Sequence, residues 1–226
     1  MKLKDTLKRK LSKRQYELAR MLAFEFKRWR SRASAPLKFE TKFKRLHLGC
    51  GDRLLEGWLN VDMIGSDLDL DFASGKLPFP DGQFDSIVSQ HVIEHLSLED
   101  ELVPLFKECH RCMSSEGWIW ISTPDMKKVA KSYLDHNNED MIADRKKRLP
   151  DWTLGEYPPQ QFMNDIFHQG LEHRNLFDFG LLKWTLESSG FSSVQESNER
   201  ELLAAFPEFP VRNDDFQSIY VKAQKS

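Results

Sequence analysis

The sequence predicts an α/β fold, a mostly parallel sheet preceded by a separate amphipathic helix. Three observations carry this. From Phe43 onward, short apolar runs of β-branched and aromatic residues alternate with helix-like segments, separated by turn residues. A strand, a glycine turn and a second strand ending in an acid occupy residues 45–62. Charge divides the chain: residues 1–45 hold 16 Lys or Arg against 4 Asp or Glu, whereas residues 46–226 hold 17 against 31, so the formal net charge of −2 conceals +12 and −14.

Over the first thirty residues, Leu3, Leu7, Leu11, Leu18, Leu22 and Trp29 recur at helical spacing, with Lys and Arg around the rest. Ser, Ala and Pro between Ser31 and Pro36 end the pattern. Residues 1–40 are therefore read as a basic amphipathic helix and linker, and residues 41–226 as one domain, long enough to bury about 70% of its unfolded surface. No apolar run reaches membrane-spanning length, and three cysteines (Cys50, Cys109, Cys112) make no disulfide framework. A cytoplasmic protein is expected.

Strands are expected at Phe43–Leu48, Leu59–Asp62, Asp67–Phe72, Phe84–Ser89, Trp118–Thr123, Phe191–Glu196 and Phe216–Ala223. Helices are expected within Leu98–Met113, capped by Ser97 with Asp100 and interrupted by Pro104, and at Phe179–Ser189, between an Asp178 cap and Gly190. The connections between the first three strands leave little room for crossover helices, so part of one sheet face lacks its usual cover. Residues 126–172 form a long insertion at the sheet's carboxyl edge, a position suited to a lid or substrate pocket, and include the cluster Arg145-Lys146-Lys147-Arg148.

Gly49 and Gly51 let the backbone turn sharply and approach a ligand closely. Asp62, closing the second strand, is placed to accept both hydrogen bonds of a ribose diol. Leu54 stands where a dinucleotide fingerprint wants its third glycine, and no triphosphate motif is present. The pattern indicates a nucleoside-containing cofactor of another kind.

The run RLHLGCGDRLLEGWLNVD resembles the first two motifs of the class I S-adenosylmethionine-dependent methyltransferases. LDLDFASGKLPFPDGQFDSIVSQHVIEHL, RCMSSEGWIWISTPD and HRNLFDFGLLKWTLESSGF are similar to that family's later motifs, in the family's order. The compressed spacing of G-C-G to G-W-L-N-V-D looks like a compact subgroup that often accompanies surface polysaccharide biosynthesis. This resemblance implies a Rossmann-like class I methyltransferase sheet with an antiparallel last strand and S-adenosyl-L-methionine as cofactor. The cofactor would be held by Gly49, Cys50, Gly51, Asp62, Asp71, Phe72 and Gln90. The implied reaction is O-methylation of a sugar, glycan precursor or other small hydroxyl acceptor, with His91 and His173 as catalytic histidines and no metal. His47 and Arg53 depart from the family pattern, standing where many relatives have an acid and a third glycine.

Two other readings compete. His91-Val92-Ile93-Glu94-His95 matches the H-x-x-E-H string of a zinc hydrolase, which sets two histidines one helical turn apart. A binding protein that keeps the cofactor fold without turnover is the other. For residues 1–30, an anionic membrane surface, packing on the chain's own domain and a partner subunit are all compatible with the pattern, and the first places the protein at the membrane's inner face. Nucleic acid is not expected, because charge occurs there without a recognition module. The sequence leaves the acceptor and oligomeric state open.

Overall fold

A computed structural model of the protein describes residues 11–169 and 172–225. Helix α1 spans Lys13–Ser34. Its start is fixed by a reciprocal cap, in which Ser12 Oγ accepts from the Gln15 backbone at 3.3 Å and Gln15 Oε1 accepts from the Ser12 backbone at 2.9 Å. It stops at extended Ala35, the residue before Pro36, where a helical conformation is disfavoured. Leu3 and Leu7 lie outside the described residues.

Seven strands follow: β1 Arg45–Leu48, β2 Leu59–Asp62, β3 Leu68–Asp69, β4 Phe84–Gln90, β5 Met113–Pro124, β6 Ser192–Ser197 and β7 Ser218–Gln224. They form one sheet of order β3-β2-β1-β4-β5-β7-β6, parallel except for β7, which runs antiparallel to both its neighbours. The predicted fold class is thus realised, with the reversal in the last strand. The expected third strand is shorter than Asp67–Phe72, because Asp71 caps a 3₁₀ turn over Phe72–Ser74 instead of extending β3.

Helix α2, Val103–Cys112, carries Pro104 in its first turn, where a missing N–H costs nothing. Ser97 makes no side-chain cap: a π-type turn over Leu98–Leu102 intervenes, and Ser97 N donates to Glu101 Oε2 at 2.9 Å. The insertion folds as α3 Met126–His136, α4 Glu139–Arg148 and α5 Gln161–His168. Helix α6, Phe179–Ser188, has the expected Asp178 cap, accepting from Leu181 N at 2.9 Å. Helix α7, Glu199–Ala205, had no counterpart in the sequence reading.

Alternation along the strands sends side chains to two cores. Leu46, Leu48, Ile87, Ile119, Ile121 and Val221 meet α2 and α6 on one face. Val88, Trp120 and Tyr220 point to the other, where Trp58, Phe206 and Phe209 supply the cover that a β1–β2 crossover helix would have given. Those three aromatic rings meet edge-on or tilted, with centroids 5.0–6.3 Å apart. A third cluster, built on Val129, Met141, Phe162 and Ile166, belongs to the insertion alone.

His47 projects from β1 into the aromatic core, its ring 4.9 Å from that of Phe209. Burial lowers its pKa to about 4, against the pull of its hydrogen bond to Asn60 Oδ1. The depressed folded pKa means that the unfolded chain binds the proton more readily between the ordinary value of 6.5 and about 4. The contribution of His47 to stability therefore falls as pH drops through that window, by roughly 2 kcal/mol between pH 7 and pH 5. His47→Phe, which keeps the ring packing, is expected to remove most of that slope in urea unfolding at the two pH values; an unchanged slope would place the proton uptake elsewhere.

Candidate active site at the carboxyl edge of the sheet

The carboxyl ends of β1, β2 and β4 converge on the glycine turn, where an open parallel sheet presents its ligand crevice. Gly49 has φ +80°, and a Cβ there would stand 2.1 Å from Val92 Cγ2. The missing side chain thus lets the segment after β4 seat directly on the turn. Gly51, at φ +56°, faces open space instead. The turn is tied to β2: Gly49 N and Cys50 N donate to Val61 O at 2.8 and 3.2 Å, and Gly51 N donates to Asp62 Oδ2 at 2.7 Å. Asp62 Oδ1 accepts from Met63 N at 2.6 Å. Each carboxylate oxygen keeps a further lone pair, the capacity a ribose diol needs. Burial and the nearby Asp62 push the Cys50 thiol up to about 12, so it is no nucleophile.

Gln90 closes β4 nearly buried, and among the described residues its Nε2 has no hydrogen-bond partner. An orphaned buried donor beside the turn fits a polar ligand. Asp71 is differently occupied. Oδ1 caps Ala73 N at 3.0 Å, while Oδ2 accepts from Arg28 Nε at 3.2 Å and Arg32 Nε at 2.5 Å. Arg28 also reaches Glu101 Oε1 at 3.1 Å. Helix α1 is therefore fastened to the segment that follows β3, and Phe72 lies buried in the main core. Between α1 and Met63, Ile64 and Asp69 runs a cleft of about 290 Å³, beginning immediately after Asp62.

On the other side of the turn, His91 sits in the left-handed region at φ 56°, where a non-glycine residue is strained. Its ring is held between two carboxylates, Nε2 2.7 Å from Asp214 Oδ2 and Nδ1 3.4 Å from Glu94 Oε1. Burial opposes the charge, but these partners outweigh it and raise the His91 pKa to about 9. Asp214 also accepts from Tyr220 Oη at 2.5 Å and Arg212 Nε at 3.2 Å. Burial would raise the Glu94 pKa, yet the His91 contact holds it below the usual carboxylate range.

The left-handed turn at His91 breaks the helix that the H-x-x-E-H string would need, since Ile93–His95 is a single 3₁₀ turn. His95 meets His173 instead, ring centroids 4.9 Å apart. Backbone zipping brings them together, with Arg174 N and Asn175 N donating to Glu94 O at 2.8 and 3.2 Å. Glu94, 2% exposed, receives Thr123 Oγ1 on Oε2 at 3.1 Å. His173 Nδ1 donates to Ile166 O at 2.6 Å and His95 Nδ1 to Glu172 O at 3.2 Å, so each ring leaves Nε2 for another partner. Burial lowers the His173 pKa.

The structure thus brings Gly49, Cys50, Gly51, Asp62 and Gln90 together around one turn, with His91 beside them and His173 one residue cluster further along. Asp71 is taken up by α1, and Phe72 lies in the main core. Asp214 and Arg28 join the site from distant sequence positions that no motif marks, and Thr123 joins it from the end of β5.

Residues 60–121 match the model of a family described as a methyltransferase domain. No curated protein matches the chain. Among solved structures it is similar to phosphoethanolamine N-methyltransferase 2 of Haemonchus contortus, at 14% identity and TM-score 0.47, covering all of this chain and 61% of that one. It is also similar to S-adenosylmethionine-dependent methyltransferases of Mesorhizobium loti (18% identity, TM-score 0.43, 87% of this chain and 96% of that one) and of Archaeoglobus fulgidus (18%, 0.44, 89% and 94%). Likeness this remote carries no substrate.

The close approach at Gly49 has a measurable cost. Gly49→Ala is expected to destabilise the domain by about 2–3 kcal/mol, from left-handed strain plus overlap with Val92, against about 1 kcal/mol for Gly51→Ala. Adding Val92→Ala to Gly49→Ala should recover part of the loss in denaturant unfolding; strict additivity of the two changes would refute the contact.

Proposed function

We propose that this chain, a class I S-adenosylmethionine-dependent methyltransferase by its matched domain and its sheet, methylates a hydroxyl group on a sugar or glycan precursor at the cytoplasmic face of a membrane. One observation carries the reading: the missing Cβ of Gly49 seats Val92 on the glycine turn, which holds the nucleoside-binding edge at Asp62 against the His91–His95 segment.

Bound S-adenosylmethionine supplies an electrophilic methyl on a sulfonium. The chain's own residues must hold the nucleoside, align the acceptor and take its proton. Asp62 is placed to accept from the ribose hydroxyls, and Gln90 Nε2 offers a donor without a partner among the described residues. His91, both ring nitrogens committed to carboxylates, orients the turn and shapes the pocket wall. Glu94, His95 and His173 gather in one polar corner, a surface suited to holding a hydroxyl acceptor.

Helix α1 supports the membrane location. It packs on the domain through Arg28, Ser31 and Arg32, so its apolar stripe faces outward: Leu22 and Trp29 are each 63% exposed, and Leu18 and Phe26 scarcely less. Arg14 and Arg30 flank this face, the arrangement that binds an anionic interface, with each cation contributing about 1 kcal/mol. Among the described residues no helix is long and apolar enough to cross a membrane.

Two measurements test this. Asp62→Ala should weaken S-adenosylmethionine binding at least tenfold in calorimetry, and radiolabelled methyl transfer into a fractionated lysate should place label in glycan or lipid-linked sugar; label confined to protein or RNA would overturn the acceptor. Leu22→Glu with Trp29→Glu should abolish sedimentation with anionic vesicles while leaving the melting temperature unchanged, and equal sedimentation of both proteins would overturn the membrane role.

A further inference from the structure

We infer that Glu94, His95 and His173 form a binding site for one divalent transition-metal cation of the zinc type, beside the acceptor position. Each of the three residues offers one ligand atom, and these atoms all lie within 4.8 Å of one another. Small side-chain rotations bring such a set to the roughly 2.0–2.2 Å ligand distances of a zinc site. Two imidazoles and one carboxylate are a donor set that suits borderline cations and leaves coordination positions open for water or substrate.

The surroundings match what a metal site needs around its ligands. In both histidines Nδ1 donates to a backbone carbonyl, Glu172 O for His95 and Ile166 O for His173. This fixes the tautomer, directs the Nε2 lone pair outward and is the outer-shell arrangement typical of metal-binding histidines. The carboxylate is oriented as well, by Thr123 Oγ1 on one oxygen and His91 on the other. Glu94 is buried while both histidines are partly exposed, so the cluster is closed from behind and open in front. A structural zinc site would be closed on all sides; one open position belongs to a site that meets substrate.

The set is not the one the H-x-x-E-H string suggests. His91 is engaged by Asp214, and His173 comes from 78 residues beyond His95 in its place.

The role of the cation rests on the methyltransferase reading; its binding does not. An acceptor hydroxyl coordinated there loses its proton to water more readily. Its oxygen then forms the new bond to the methyl carbon as the carbon–sulfur bond breaks, the electron pair leaving with sulfur. The site draws one hydroxyl oxygen of the acceptor as its remaining ligand, a chemistry that sugars supply.

The test uses the full-length protein, freed of metal by a chelator and titrated with Zn²⁺ and with Co²⁺. One equivalent of Zn²⁺ should bind, and Co²⁺ should give visible d–d absorption. His95→Gln and His173→Gln should each weaken uptake at least tenfold and alter the Co²⁺ spectrum with the fold intact by circular dichroism, whereas His136→Gln on the exposed end of α3 should change neither. Absence of saturable uptake, or uptake indifferent to both histidine variants, would overturn the site. Calorimetric S-adenosylmethionine binding on the same samples separates the two ideas: its retention without metal uptake removes the cation alone, and its absence with normal uptake removes the methyltransferase reading alone.

Discussion

The absence of one methylene-sized group at Gly49 is the constraint on which the rest of the site depends. A Cβ at that position would occupy the volume of Val92 Cγ2. Because the space is free, the chain leaving β4 folds back over the turn after β1, and Asp62 and the histidine-bearing segment lie on either side of that turn. The left-handed backbone of His91 follows from the same fold-back, and the strain is held by its N–H to Ser122 O at 2.8 Å and its ring between two carboxylates. Strain of this kind persists only where surrounding contacts over-determine it.

Electrostatics fixes the other boundary. The acidic core and the basic arm meet at Asp71, whose single Oδ2 takes two arginines of α1. With Arg28 almost fully buried, this pair is far less screened by salt than a surface bridge, and each partner keeps a second ion pair, Asp71 with Arg32 and Arg28 with Glu101. The polar face of α1 is thereby spent on the domain, which is what turns its apolar face outward. A conventional amphipathic helix packs the other way round.

Much of this was legible in the sequence because it is local. The glycine turn and Asp62 are joined by a hydrogen bond spanning 11 residues, and their spacing shows in the string itself. The Asp178 cap and the alternation along β4, β5 and β7 read off the same way. What stayed hidden depends on long-range meetings. Asp214 reaches His91 across 123 residues and Arg28 reaches Asp71 across 43, neither within any motif. Helix α7 is seven residues long, too short for periodicity to register. Ser97 had a capping pattern, but a π-type turn displaced it once Leu102 was drawn into the core. Asp71 had the position expected of a cofactor contact, and only the docking of α1 shows its carboxylate already engaged.

The insertion at residues 126–172 leaves and rejoins the sheet at one neck, where Asp125 bridges Phe177 and Met126 N donates to Phe177 O at 2.8 Å. Its three helices pack on their own apolar cluster rather than on either face of the sheet. Closing such an excursion costs loop entropy that grows only slowly with its length. The consequence is evolutionary: the excursion can be lengthened, shortened or exchanged as a cassette without repacking the sheet, while His173, just inside the neck, stays where the backbone zip to Glu94 sets it.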